Sequence, residues 1–219
     1  MKSRRNKMSY SKFIHRLFFA FLAVVALSCG SSRSLPGAQV NKNTIVFLGN
    51  SITQVGKWQE LLPGKNVINK GISGDVTTGV LARLSDCLSA RPEQIFVMIG
   101  INDLKIGRPL EDITANQVKI IQKIKELSPR TKIYIQGTLP VNEGMLANIY
   151  RRLNNADIGK MNIALKAACE QQKVRYIDLH PVLTDQTGQF KQQLSTDGLH
   201  LKPEAYVIWV KYLQKNKIL

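Results

Sequence analysis

The sequence predicts an α/β domain: a parallel sheet of five strands covered by helices on both faces. Five short runs rich in apolar and β-branched residues recur without polar alternation, as strands buried on both faces do. Stretches with apolar residues at helical spacing separate them, and such alternation implies a sheet between two helical layers. No repeat or low-complexity block interrupts the pattern, so residues 44–219 read as one domain with one substantial core.

The first strand is Thr44–Leu48, followed by a short helical pattern over Val55–Leu62. Asn66–Asn69 is the second strand. Val76–Leu88 then carries Val80, Leu81, Leu84 and Leu88 on one helical face. Gln94–Ile99 is the third strand, and Ile113–Leu127 follows as a helix with Val118, Ile120, Ile121, Ile124 and Leu127. Lys132–Thr138 is the fourth strand. Asp157–Gln172 opens with an acidic residue suited to capping, Val174–Leu179 is the fifth strand, and Pro203–Asn216 starts with proline in its first turn.

The first 28 residues read as an export leader rather than as part of the fold. Lys2, Arg4, Arg5, Lys7, Lys12 and Arg16 are followed by the unbroken apolar run Leu17–Leu27. That run is short for a membrane span and suits a signal-peptide core. The segment Ala26-Leu27-Ser28-Cys29-Gly30 resembles a bacterial lipoprotein signal, which implies lipidation of Cys29 as the first mature residue. The expected location is then the bacterial cell envelope, outside the cytoplasm, with the membrane a partner through the anchor on Cys29. An ordinary secretory signal with a chance cysteine is the alternative. The Arg4-Arg5 pair lacks the apolar residues a twin-arginine signal carries next. Residues 29–43 read as a flexible tether.

Net charge is +16 over the whole chain; without the leader, 25 basic residues against 15 acids leave +10. That balance favours anionic surroundings such as acidic glycans or lipid headgroups. A soluble surface that happens to be basic fits it equally well. No stripe of basic residues interleaved with aromatics occurs, so nucleic acid is not an expected partner. Cys87 and Cys169 fall in helical patterns beside Leu88 and Ala168 and are expected as buried free thiols, although a disulfide is open outside the cytoplasm. No CxxC or His/Cys cluster calls for a metal, and no cofactor is expected.

Four polar clusters stand at or after strand ends: Gly49-Asn50-Ser51, Gly71-Ile72-Ser73-Gly74-Asp75, Gly100-Ile101-Asn102-Asp103 and Asp197-Gly198-Leu199-His200. In a parallel sheet these ends share one edge, where ligands bind. Ser51 is a candidate nucleophile, which needs a base to take its proton. Beyond the leader only His180 and His200 can serve. His200 has Asp197 three residues earlier, a spacing that lets a carboxylate fix the tautomer and stabilise the imidazolium. His180, between Leu179 and Pro181, reads as an extended structural residue. The N–H groups of Ser51 and Gly71 and the Asn102 amide are candidate oxyanion donors. Asp103 is expected to shape its loop.

These four blocks resemble the SGNH/GDSL hydrolase family over nearly the whole domain. Ser51 matches its nucleophile, Gly71 and Asn102 its oxyanion donors, and Asp197 and His200 its D-x-x-H pair. The resemblance implies a flavodoxin-like three-layer α/β/α fold, strand order 2-1-3-4-5, and metal-free ester hydrolysis. The first block reads Gly49-Asn50-Ser51 where the family commonly has G-D-S; that aspartate is not a triad member, and Asn50 still suits the turn. The likeness is to the branch of platelet-activating-factor acetylhydrolase-like and carbohydrate acetylesterases.

The longest variable segments are Pro140–Ala156 and His180–Thr196, and neither is long enough to suggest a lid. The first, with Met145, Tyr150, Arg151 and Arg152, is either a border of the leaving-group site or a solvated connector. A small open site suits a short acyl group, so the expected substrate is an O-acetyl ester on carbohydrate. The alternatives are a lysophospholipase or thioesterase acting on longer chains, and a non-catalytic glycan-binding lipoprotein.

Overall fold

The computed structural model describes residues 40–219; the expected leader, Cys29 and residues 30–39 of the tether lie outside them. Five strands form one parallel sheet: β1 (Asn41–Gly49), β2 (Asn66–Gly71), β3 (Pro92–Met98), β4 (Lys132–Gln136) and β5 (Arg175–Ile177). Their order is β2-β1-β3-β4-β5, the expected one. β1 starts at Asn41 rather than Thr44, because the Asn41 N–H donates to the Arg91 carbonyl and extends the pairing. The helices are α1 (Ser51–Val55), α2 (Trp58–Leu61), α3 (Thr77–Leu88), α4 (Ile101–Lys105), α5 (Leu110–Leu127), α6 (Asn155–Gln171), α7 (His180–Leu183) and α8 (Pro203–Lys215).

The two faces of the sheet differ in chemistry. One face is aliphatic: Val46, Leu48, Ile95, Val97, Ile133 and Ile135 pack against Val80 and Leu84 of α3 and Ile120, Ile121 and Ile124 of α5. The other is aromatic. Phe47, Phe96 and Tyr134 stand side by side in register and stack with ring centroids 4.9 and 4.7 Å apart. Trp58 of α2 stacks on Phe47 at 4.0 Å, and Trp209 of α8 meets Trp58 edge-on at 5.0 Å. The buried indole N–H groups are satisfied, Trp58 by the Thr53 carbonyl and Trp209 by Gln136, as burial of a polar group requires.

Three local expectations are corrected. The Val55–Leu62 pattern is two short helices, α1 and α2, split at Gly56, whose extended backbone lets Trp58 swing under the sheet. The cap of α6 is Asn154, which accepts the Asp157 N–H, and Asp157 sits in the first turn. His180 is not extended; it opens α7, with Pro181 in the first turn. Cys87 and Cys169 are buried and free, and burial pushes the Cys169 thiol up to about 12.

Candidate active site

β1 runs straight into α1, and Ser51 is the first helical residue. Asn50 turns the chain: it is buried, and its side-chain oxygen accepts the Ile52 N–H at 3.0 Å. Asparagine thus caps this helix as aspartate would. The Ser51 N–H is left without an acceptor among the described residues.

His200 approaches from the loop before α8. Its Nε2 lies 3.0 Å from Ser51 Oγ, and its Nδ1 lies 2.7 Å from Asp197 Oδ2. The other Asp197 oxygen accepts the backbone N–H groups of Leu199 and His200, at 3.0 and 2.7 Å. Burial works to raise the Asp197 pKa. The His200 N–H, its ring and the Leu199 N–H outweigh burial and hold the carboxyl below its usual range. With Asp197 ionised, Nδ1 carries the proton and Nε2 is left as the acceptor facing the serine. Ser195 Oγ donates to the His200 carbonyl and accepts the Gly198 N–H, which locks the turn. His180 instead bonds Asp178 at 2.8 Å, and Ser51 has no bond to it.

The expected oxyanion donors divide. The Asn102 side chain gives one N–H to the Asp75 carbonyl, 2.9 Å away, and keeps its second. Gly100, at φ +136°, makes the reversal from β3 into α4 that presents Asn102. Gly71 is a correction: its N–H donates to Asn69 Oδ1 at 2.9 Å and is spent. Its lack of a side chain serves packing, since a Cβ would come within 2.2 Å of the Gln54 nitrogen in α1. Gly74 differs. It lies in the turn closed by the Asp75 N–H on the Ile72 carbonyl, at φ +79°, and its own N–H has no acceptor among the described residues. It also adjoins Asp75, whose carbonyl holds Asn102.

Residues 47–208 match the GDSL-like lipase/acylhydrolase family. The chain belongs to that family. It is 28% identical over 169 residues to the platelet-activating factor acetylhydrolase IB subunit alpha1 of Bos taurus, across 74% of this chain and 69% of that one. A solved structure from Streptococcus pneumoniae, named for platelet activating factor, is 32% identical, covers 84% of this chain and 86% of its own, and superposes with a TM-score of 0.73. An acetylxylan esterase of Geobacillus stearothermophilus shares the fold at 18% identity and a TM-score of 0.63, over 81% and 95% of the two chains. This acylhydrolase is therefore a hydrolase acting on esters.

Sequence reasoning missed one residue that organises the site of this acylhydrolase. Arg83 of α3 donates from Nε to Asp75 Oδ2 at 2.9 Å and from Nη2 to the Gly49 carbonyl at 3.2 Å. It ties the strand end before Ser51 to the turn that carries Gly74. Gly79 makes room, because a Cβ there would meet Asp75 Oδ1 at 1.9 Å. Nothing in a lone arginine on a helix marks it; its spacing from Asp75, two helical turns, is the one available signal. Asp103 shapes the next layer: fully buried, it accepts the Thr77 N–H and hydroxyl and the Arg108 guanidinium.

The Pro140–Ala156 segment borders the site. The Asn142 N–H donates to the Gly198 carbonyl at 2.7 Å, and the Tyr150 ring meets the His200 ring edge-on at 6.3 Å. Among the described residues no group of three or more His, Cys, Asp or Glu side chains converges to hold a metal.

Proposed function

We propose that this acylhydrolase is a serine esterase that removes short acyl groups, acetyl above all, from a carbohydrate alcohol through an acyl-enzyme on Ser51. The observation that carries this is the unbroken chain Ser51 Oγ, His200 Nε2, His200 Nδ1 and Asp197 Oδ2, with steps of 3.0 and 2.7 Å. His200 takes the Ser51 proton as Oγ attacks the ester carbonyl. The free N–H groups of Ser51 and Gly74 and the second N–H of Asn102 receive the oxyanion; Gly74 replaces Gly71 in this role. His200 then protonates the departing alcohol, and the same ring activates water to release the acid and restore the serine.

A short acyl group is supported by the cavities. An apolar groove of about 350 Å³ lies between α1, α2 and α8, but neither Ser51, His200 nor Asn102 lines it. The acetylhydrolase name of the bovine relative favours the same acyl group. Lysophospholipase or thioesterase action is the second reading: Leu201, the residue after His200, also lines this groove, and with Val55, Leu61, Pro203, Tyr206 and Val207 it would suit a longer chain that reached there. Lipidation of Cys29 and a place in the bacterial envelope complete the proposal, on the grounds of the leader sequence alone.

The test is hydrolysis of p-nitrophenyl acetate, octanoate and palmitate by the wild type and by Ser51→Ala and His200→Ala. Both variants should lose at least about a thousandfold in kcat while keeping the wild-type circular dichroism. Loss in His180→Ala instead would refute the choice of base. Preference for octanoate or longer would refute the acyl assignment. Mass spectrometry of the membrane fraction should find lipid on Cys29.

A further inference from the structure

One cation of this basic domain stands a single aromatic ring away from His200. Lys105 ends α4, one helical turn beyond Asn102, and its ammonium lies over the Tyr150 ring, 4.7 Å from the centroid. The edge contact of that ring with His200 places it beside the group assigned to protonate the leaving alcohol. An alcohol that leaves His200 on this side would run along Tyr150 toward Lys105. A cation on an aromatic face keeps its charge and most of its N–H donors for a further partner.

Within the protein that partner is missing. Among the described residues no carboxylate forms an ion pair with Lys105, Arg151 or Arg152. The acids on the neighbouring segments are engaged elsewhere: Asp103 by Arg108 and Thr77, Glu143 by the Asn155 N–H, and Asp157 by Asn154 and Lys160. Arg152 adds a second positive group, with its guanidinium against Gly107, two residues past Lys105 on the loop that leaves α4.

We propose that Lys105, seated on Tyr150, forms with Arg152 a subsite for an anionic group on the alcohol part of the substrate. The ester this protein cleaves would then be an acyl ester of an acidic alcohol, such as one bearing a carboxylate. This deepens the serine-esterase reading and rests on it. Lys105 acts here as a specificity residue: it selects the alcohol and leaves the chemistry to Ser51 and His200.

The experiment compares two acetyl esters of matched size, 3-acetoxybenzoate and its neutral amide 3-acetoxybenzamide. In the wild type kcat/KM should favour the anionic ester, and raising KCl from about 0.05 to about 0.5 M, across the screening range, should erode that preference. Lys105→Gln should lower the anionic-to-neutral ratio about tenfold, the effect of one partly solvated charge contact, and Lys105→Arg should keep it. An unchanged ratio in Lys105→Gln, or a wild-type ratio indifferent to salt, overturns the subsite. Binding of 3-hydroxybenzoate, followed by calorimetry, needs no turnover. It should weaken about tenfold in Lys105→Gln, and equal binding overturns the subsite even if the esterase reading has failed on its own test.

Discussion

Replacing Arg83 by methionine separates the stability of this site from its catalysis. The guanidinium faces Asp75 with contacts of 2.9 and 2.8 Å, and the two side chains are 19% and 9% exposed. Breaking a buried pair from one side costs about 3–5 kcal/mol, since the remaining charge is left without a partner. Arg83 is partly solvated and Asp75 keeps the Val76 N–H at 2.9 Å, so the lower end, about 3 kcal/mol, is expected in chemical denaturation. The second contact, to the Gly49 carbonyl, controls geometry. Its loss leaves the Ile72 N–H on the same carbonyl, at 3.1 Å, as the remaining tie between the Ser51 turn and the Gly74–Asp75 turn, and misplacement by up to about 1 Å costs up to about a hundredfold in rate. With p-nitrophenyl acetate, below the unfolding transition, kcat should fall about 10- to 100-fold with KM within about twofold. Adding Asp75→Asn removes the stranded charge, so the double variant should recover most of the stability and little of the kcat. Wild-type kcat in Arg83→Met, or kcat that returns together with stability in the double variant, would refute the bracing argument.

Gly79→Ala should drive Asp75 out of position and lower kcat of p-nitrophenyl acetate hydrolysis by a similar factor, because the added carbon would overlap Asp75 Oδ1; an unaffected kcat counts against the brace. Tyr206→Phe removes the buried hydroxyl donating to the Ile52 carbonyl at 2.7 Å, the link between α8 and α1. Urea denaturation should show a loss of about 1–2 kcal/mol. The Asp197 carboxyl is held below its ordinary value, so the stability it contributes is present above pH 3.8 and is lost as pH falls through the lower folded value. Thermal midpoints from neutral to acid pH should therefore fall more steeply in the wild type than in Asp197→Asn, and parallel curves would rule this out. Burial raises both the Cys87 and Cys169 thiols, so peptide mapping after iodoacetamide at pH 8 should find neither alkylated in the native protein.

The strands and long helices were legible because burial leaves a composition signal. Val46, Phe47 and Leu48 face packed layers whichever way they point, so the run is apolar throughout. The same holds for the spaced isoleucines of α5. Short helices leave no such trace: α1, α4 and α7 are about one turn each and complete no hydrophobic period. They are defined by caps and tertiary bonds, such as Asn50 on Ile52, which pattern cannot register. The order of the strands came from the family likeness, since alternation fixes parallel pairing but leaves the order open.

Site residues divide along a similar line. Ser51, Asn102, Asp197 and His200 were readable because chemistry restricts which side chains can fill those places. A backbone donor has no such restriction. Gly71 ends β2 and Gly74 lies three residues on in the turn that follows, and in the sequence each looks able to bring an N–H close to substrate. What distinguishes them is Asn69, whose side chain consumes the Gly71 N–H, and the packing of Gly71 on Gln54. Availability of a backbone N–H depends on where the other acceptors lie, and the fold alone decides that. Arg83 follows the same logic: its role depends on the Gly49 carbonyl, 34 residues earlier, which its position on α3 does not announce. The proposed acyl transfer thus draws its reactive groups from motifs and their alignment from contacts between motifs, and a substitution that spares every motif is expected to disable the site when it severs one of those contacts.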